Sequence, residues 1–453
     1  MRKLLQLAKS NLVMLVNAGS LVGTTAVTSV LGFAYWWLAA RLFPPESVGL
    51  ASAAISAMML LGTVGVLGLG TLLTGELPRQ PGREWSLISA ALIVVGGVGG
   101  FIGILFAVVA PLISTDFLPL RASGGDIALF AIGTGLTAVT LVLDQALIGL
   151  LRGELQLWRN TLFASIKLVA LFVAAFLLSL VTGMTIYTTW LIGNALSLVA
   201  LIGFIPFHGK KSTYLPQWGM LRKLGSAAVQ HHILNLILLA PPLILPILVT
   251  IQLSATANAW FYVSFMLANF VFGLTYALST VLYAESSAQP SVLAHKARFT
   301  LGLAIATSIA ANCVLQLGAR QLLGLFGHTY AEQAVWCLRI LSLGAFPLIV
   351  KSHYIAICRI HHRIANAVLL ITIGTLMEVS GAALGAHLSG LSGLSLGWLI
   401  ALSVEAIFMS RTVFRAARPM ETIAGNRLLE SSTLYHNGMN LTEIPTNEPS
   451  FER

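Results

Sequence analysis

The chain has 453 residues, of which 57% are hydrophobic and only 9% charged, with a formal net charge of +10. A soluble domain carries roughly 25% charged residues, so this composition excludes a water-solvated globular fold and points to a bilayer, where each helical crossing needs about 20 apolar residues. The three cysteines, Cys313, Cys337 and Cys358, form no CxxC pair and read as helix residues. No cofactor and no metal site is expected, and the basic residues sit in short connectors, which favours membrane orientation over nucleic-acid binding.

The N-terminus, MRKLLQLAKSNLVMLV, places basic residues before an apolar run. A cleavable signal peptide is the rival reading, but the span after Asn11 is longer than a signal core and lacks a clear cleavage site. Six spans are then predicted at 14–40, 47–73, 86–110, 126–150, 161–181 and 187–207, making an N-terminal lobe of residues 1–207. A basic inter-lobe linker follows at 208–224, HGKKSTYLPQWGMLRKL. Six more spans at 225–250, 257–283, 299–318, 334–358, 364–386 and 390–411 make a C-terminal lobe of residues 225–411. The polar stretch 412–453 has no apolar periodicity and reads as a disordered tail. The predicted fold class is an all-α polytopic membrane protein, with about twelve transmembrane helices in two six-helix lobes around a central cavity.

Charge sets the orientation. Arg2, Lys3 and Lys9 precede the first span, and alternate connectors carry Arg79 and Arg83, Arg152 and Arg159, Lys210 to Lys223, Lys296 and Arg298, then Arg359 and Arg363. The opposite connectors carry only Arg41, Arg121 and Arg320, with Arg339 nearby. This bias predicts a multi-pass protein of the cell membrane with both termini cytoplasmic. The chain also looks doubled: ARLFPPESVGLASAAISAMMLL corresponds to VTIQLSATANAWFYVSFMLANF about 210 residues later, and DQALIGLLRGELQLWRN to KSHYIAICRIHHRIAN about 207 later. Halves of six spans share one orientation, so the repeats would be related by an axis along the membrane normal.

The run LGFAYWWLAARLFPPESVGLASAAISAMMLLGTVGVLGLGTLL, with Ala40, Arg41, Pro44, Pro45, Gly49, Gly68 and Gly70 at the matching positions, resembles the polysaccharide-biosynthesis flippases. These belong to the multidrug/oligosaccharidyl-lipid/polysaccharide exporter superfamily. The family's usual Tyr before the Gly is Val48 here, and LFGHTYAEQAVWCLRILSLGAFPL at 325–348 is similar to the family's connector into span ten. The resemblance implies a cavity that opens alternately to each side and a cargo of lipid-linked glycans or related amphiphiles. A coupling ion, H+ or Na+, is a further possible partner beside the membrane lipids. A cation-coupled exporter of drugs or metabolites and, from another class, a membrane-embedded glycan polymerase or ligase are the alternatives. No GxxxxGK[ST] run is present, so the chain has no ATPase motif of its own.

Ionisable groups within spans cost about 2.5–3.5 kcal/mol on insertion scales and are the first functional candidates. Asp144, Lys167 and Lys351 are each expected about two turns in from the cytoplasmic face. Asp144 and Lys351 hold matching positions in the two halves, and a pair between them across the axis would neutralise both. The competing account has each lysine reaching the headgroups along its stem. His231 and Asn235, at i and i+4, share a helix face beside His232, and could meet sugar hydroxyls or phosphate or serve as interfacial anchors. Pro241, Pro242 and Pro246 are expected to interrupt span seven, at a place where span one holds Gly32. Glu378 is the ion-coupling candidate, against a paired structural role, and Glu405 is expected near the headgroups. Arg41, which matches the family's arginine, would contact phosphate or glycan, or anchor at the interface with Trp36 and Trp37. Trp190, Trp260, Tyr262 and Tyr276 could stack on sugars, interfacial belt positions being the ordinary account.

Overall fold

The computed structural model describes residues 2–80, 82–177, 179–204, 218–361 and 363–418. Among them are fourteen α-helices and no strands: α1 (Arg2–Leu42), α2 (Pro45–Gly65), α3 (Leu69–Glu76), α4 (Glu84–Ile113), α5 (Gly124–Gly149), α6 (Gly153–Phe176), α7 (Gly183–Phe204), α8 (Trp218–Gln252), α9 (Ala255–Ala288), α10 (Leu293–Gly324), α11 (His328–Gln333), α12 (Val335–Leu343), α13 (Ala345–Ile360) and α14 (Ile364–Ala416). An all-helical membrane fold is what the bilayer demands, because every backbone donor and acceptor must be satisfied within its own segment.

Among the described residues, nine of the helices, and α12 with α13 taken as one run, are long and apolar enough to cross a bilayer. One of them, α14, crosses twice. Its backbone leaves helical geometry at Ser389 and Gly390, where Gly390 takes φ 59°. The two arms then run antiparallel in close contact, since a Cβ on Gly385 would meet the Gly393 carbonyl and one on Gly381 the Gly397 carbonyl. Counting the 41-residue α1 as a crossing brings the described residues to the expected twelve. Two predicted spans are broken within themselves: span two into α2 and α3 at Leu67 (φ 51°) and Gly68 (φ 78°), and span ten into α12 and α13 at Gly344. Helix α14 continues to Ala416, past the boundary expected at 411, and α8 begins at Trp218 inside the expected linker. The rest of that linker up to residue 217, and the tail beyond residue 418, lie outside the described residues.

The junctions α1–α2, α4–α5, α6–α7, α8–α9 and α10–α12 and the break at 389–390 lie at one end of the helices, here termed the turn end; the opposite end, where α1 begins and α14 finishes, is the terminal end. The order repeats, with the α1–α2 turn at 43–44 recurring at 253–254 and the α5–α6 junction recurring between α13 and α14. Packing gathers the helices into two bundles. In the first, α1 lies on α6, α6 on α7, α4 on α5, and α2 on α5 and α7. In the second, α13 lies on α14 and α9, α10 on α9, α12 on α9 and α14, and α14 on α8. Helix α2 joins them by packing on α8 and α9, and one apolar cluster, including Trp36, Ala53, Met58, Phe261, Phe265 and Leu341, runs across both.

The three prolines of α8 do not interrupt it as expected; the helix runs unbroken from Trp218 to Gln252. Proline removes the bond to the carbonyl four residues earlier, and for Pro241 that carbonyl is Ile237. A neighbouring helix supplies the replacement: Thr375 Oγ1 on α14 donates to the Ile237 oxygen at 3.4 Å.

Candidate functional site

In the second bundle the break in α14 brings two carboxylates to one lysine. Lys351 on α13 donates from Nζ to Glu378 Oε1 at 2.6 Å and to Glu405 Oε2 at 2.9 Å, the two acids standing on opposite arms of α14. Trp398 Nε1 donates to the other Glu378 oxygen at 2.8 Å. All three charged side chains are buried, so the cluster satisfies within protein the charges that a bilayer would reject. Glu405 Oε1 alone has no hydrogen-bond partner among the described residues. Lys351 and Glu378 form part of the wall of a cavity of about 390 Å³ enclosed by α8, α9, α13 and α14. Its other walls are aliphatic (Leu238, Leu239, Pro241, Pro242, Leu348, Ile355), aromatic (Phe265, Phe272, Tyr276, Tyr283, Trp398) and hydroxyl- or amide-bearing (Asn269, Ser279, Thr280, Ser352), with Arg359 also in the lining.

The first bundle holds the matching junction with its charges inverted. Asp144 on α5 pairs with Arg159 on α6 at 3.3 Å and accepts from Asn160 Nδ2 at 3.1 Å, while Arg159 Nη2 donates to Asn194 Oδ1 on α7 at 2.7 Å. The acid thus sits on the fourth span and the base on the fifth, whereas the second bundle has the base on its fourth span and acids on its fifth and sixth. The expected Asp144–Lys351 pair across the axis does not form. Each residue finds its counter-charge on a neighbouring helix of its own bundle, which is nearer and requires no contact between bundles.

Lys167 on α6 is buried without a carboxylate partner among the described residues. It is enclosed by rings: its Nζ lies 3.5 Å from the Trp190 centroid, 4.6 Å from Phe163 and 4.8 Å from Tyr35. Tyr35 is itself held by donation to Ile186 O at 2.8 Å. The lysine does not extend to the headgroups.

Three groups of polar contacts tie the bundles together at the turn end. Trp37 Nε1 and Arg41 Nε both donate to Leu325 O, at 2.9 and 2.7 Å. Asn258 Nδ2 donates to Gly49 O and Ser52 Oγ, at 2.8 and 3.0 Å. Ala255 N donates to Asp116 Oδ2 at 3.1 Å. The contact is tight, for a Cβ on Gly49 would overlap the Ala255 carbonyl. Helix α1 reaches the second bundle through its turn-end third, where Trp36 packs on Tyr262 and Phe33 on Phe270 and Phe326. Nothing lies within 4 Å of a Cβ at Gly32 or Gly273, and Leu274 and Tyr276 are exposed.

The remaining candidates are scattered. His232 is half-buried against the backbone of Thr63 and Val64, where α2 ends. Asn235 is exposed on α8, and the His231 side chain lies outside the described residues. Sequence reasoning did not single out Arg159, assigned there to a connector, nor Asn194, Trp398 or Arg359. Glu405 was expected at the headgroups and is instead buried beside Lys351.

No protein-family model matches the sequence, and no curated protein matches it. Solved structures do. A multidrug resistance MATE family transporter of the MOP superfamily, in its inward-facing conformation, superimposes with TM-score 0.64 over 87% of this chain and 98% of its own, at 14% identity. The lipid II flippase MurJ, in an inward closed conformation, gives 0.65 over 92% of each chain at 15% identity. An outward-facing conformation of a MATE family transporter gives 0.55. The chain has the fold of these transporters. At such low identity the likeness concerns the fold alone.

Proposed function

We propose that the chain is a flippase or exporter that moves an amphiphile with an anionic, saccharide-bearing head, such as a lipid-linked oligosaccharide, across the cell membrane by alternating access. The observation that carries this reading is the set of polar ties between the bundles at the turn end. The bundles are tied by Arg41, Trp37, Asn258 and Asp116 at the turn end, while α1 and α9 stand beside open space at Gly32 and Gly273. Toward the terminal end α8 still packs on α2 and α3, so exposing the space between the bundles to that end parts those contacts, and exposing it to the other end parts the polar ties. The excess of Lys and Arg at the terminal end, from Arg79 and Arg83 to Arg411, Arg415 and Arg418, supports a cytoplasmic terminal end.

The cavity residues favour this cargo over a cationic drug. Both acids are engaged by Lys351, so the wall offers no free carboxylate pair, and Lys351 for its part is no free cation for a phosphate. Arg359, in the lining, has no carboxylate partner among the described residues and its planar fork suits phosphate. The aromatic walls suit sugar faces or an acyl chain. In this reading Arg41 acts as a tie between bundles, and Asp144, Lys167 and Lys351 position helices.

Reconstitution in proteoliposomes with a labelled lipid-linked oligosaccharide tests the reading. Movement between leaflets should depend on the protein, fall at least tenfold with Arg359→Ala, and be unchanged by Lys296→Ala, whose side chain pairs with Glu285 at the surface. Equal movement in protein-free vesicles would reject it.

A further inference from the structure

We propose that Lys351 is a tethered counter-ion. Its ammonium occupies, from within the chain, the cation position between Glu378 and Glu405, so that the second bundle binds no free monovalent cation there. The proposal does not rest on the nature of the cargo.

Four observations carry it. The ammonium lies within hydrogen-bond distance of one oxygen from each acid, as a bound cation would between two oxygen ligands. The acids are held in place independently of the lysine: Trp398 Nε1 holds the second oxygen of Glu378, and the Glu405 carboxyl lies flush against Gly374, where a Cβ would overlap it. Two acid groups share one ammonium, and the buried Glu405 Oε1 has no partner among the described residues. The acids therefore retain capacity for a cation once the lysine is gone. Finally, Lys351 and Glu378 line the 390 Å³ cavity, so truncating the lysine stem joins the acid pair to a space that ions can enter. Tyr276 stands in the same cavity wall, and Arg359 is the other cation of the lining.

Lys351 also explains why no carboxylate of this cluster is open as the ion-coupling site that the sequence suggested for Glu378. Any such site has been closed by a residue that cannot dissociate. A charge fixed to α13 moves only when α13 moves against the two arms of α14, so the ion pair links those helices where a diffusible ion would release them.

The test compares the full-length parent, Lys351→Ala and Lys351→Ala/Glu378→Gln/Glu405→Gln in detergent. Unfolding temperature is followed by tryptophan fluorescence in NaCl, methylammonium chloride or choline chloride at one ionic strength. The parent should unfold at the same temperature in all three salts. Lys351→Ala should unfold earlier in choline and recover saturably with Na+ or methylammonium, and the triple variant should show no recovery. A folded Lys351→Ala protein that responds to neither cation would overturn the proposal. Should Lys351→Ala fail to fold, the parent still decides. Binding of radioactive Na+ to the parent, lost in Glu405→Gln, overturns the tethered counter-ion, whereas no such binding supports it.

Discussion

Removing Arg159 should destabilise the first bundle far more than removing it together with its partner's charge. In Arg159→Met the Asp144 carboxylate keeps only Asn160 Nδ2 as a side-chain donor, and Asn194 Oδ1 loses its 2.7 Å bond. Breaking a buried ion pair from one side costs about 3–5 kcal/mol, because the remaining charge stays buried and uncompensated. The Asp144 side chain is less enclosed than that of Arg159 and keeps the Asn160 donor, so the lower end, about 3 kcal/mol, applies. That is roughly a 150-fold shift in the folding equilibrium, at 1.4 kcal/mol per decade. In Asp144→Asn/Arg159→Met no charge remains, and about 2 kcal/mol should return. Unfolding in mixed micelles of increasing dodecyl sulfate content, read by tryptophan fluorescence, measures both. The reasoning fails if Arg159→Met lies within about 0.5 kcal/mol of the parent on the surface-substitution scale, or if the double variant is no more stable than the single one.

Other substitutions test other contacts. Gly385→Val should prevent the arms of α14 from closing, because the added atoms would overlap the Gly393 carbonyl; the yield of monodisperse protein should collapse, whereas Gly390→Ala, which strains only the backbone at φ 59° and ψ −140°, should lose about 1–3 kcal/mol. Lys167→Met should be as stable as the parent or more so, since the rings around Nζ accept an apolar chain and a buried charge is removed; a cation–π gain of about 2 kcal/mol does not exceed a desolvation cost of several. A marked loss in its melting temperature would refute that. Thr375→Val should cost about 1 kcal/mol by stranding the Ile237 carbonyl freed by Pro241, a penalty that Pro241→Ala should abolish in the double variant.

The helical membrane fold was legible because hydrophobic length and charge alternation are properties of sequence alone. The breaks inside spans were not, since Gly68 and Gly344 lie in apolar surroundings that a hydropathy window cannot resolve. The α14 hairpin did carry a signal, in the four-residue spacings Gly381–Gly385 and Gly393–Gly397, which is the small-residue pattern of closely packed membrane helices. The burial of Asp144 and Lys351 was readable from their place within spans, but their partners were not read, because Arg159 seemed to belong to a connector. Hairpin register held the answer: Asp144 and Arg159 stand at nearly matching positions on either side of the α5–α6 turn, which runs between Gly149 and Gly153. The α8 prolines misled for a different reason. The penalty of a missing donor is local, while its remedy, Thr375, lies 138 positions away.

The central claim is that the turn-end seam must part for cargo to cross. Ser52 and Asn258 touch across it at 3.0 Å, so Ser52→Cys/Asn258→Cys, in a background with Cys313, Cys337 and Cys358 replaced by serine or alanine, allows the seam to be locked by oxidation. Movement of a labelled lipid-linked oligosaccharide in proteoliposomes should stop on disulfide formation and resume on reduction. Undiminished movement through the locked protein would contradict the account.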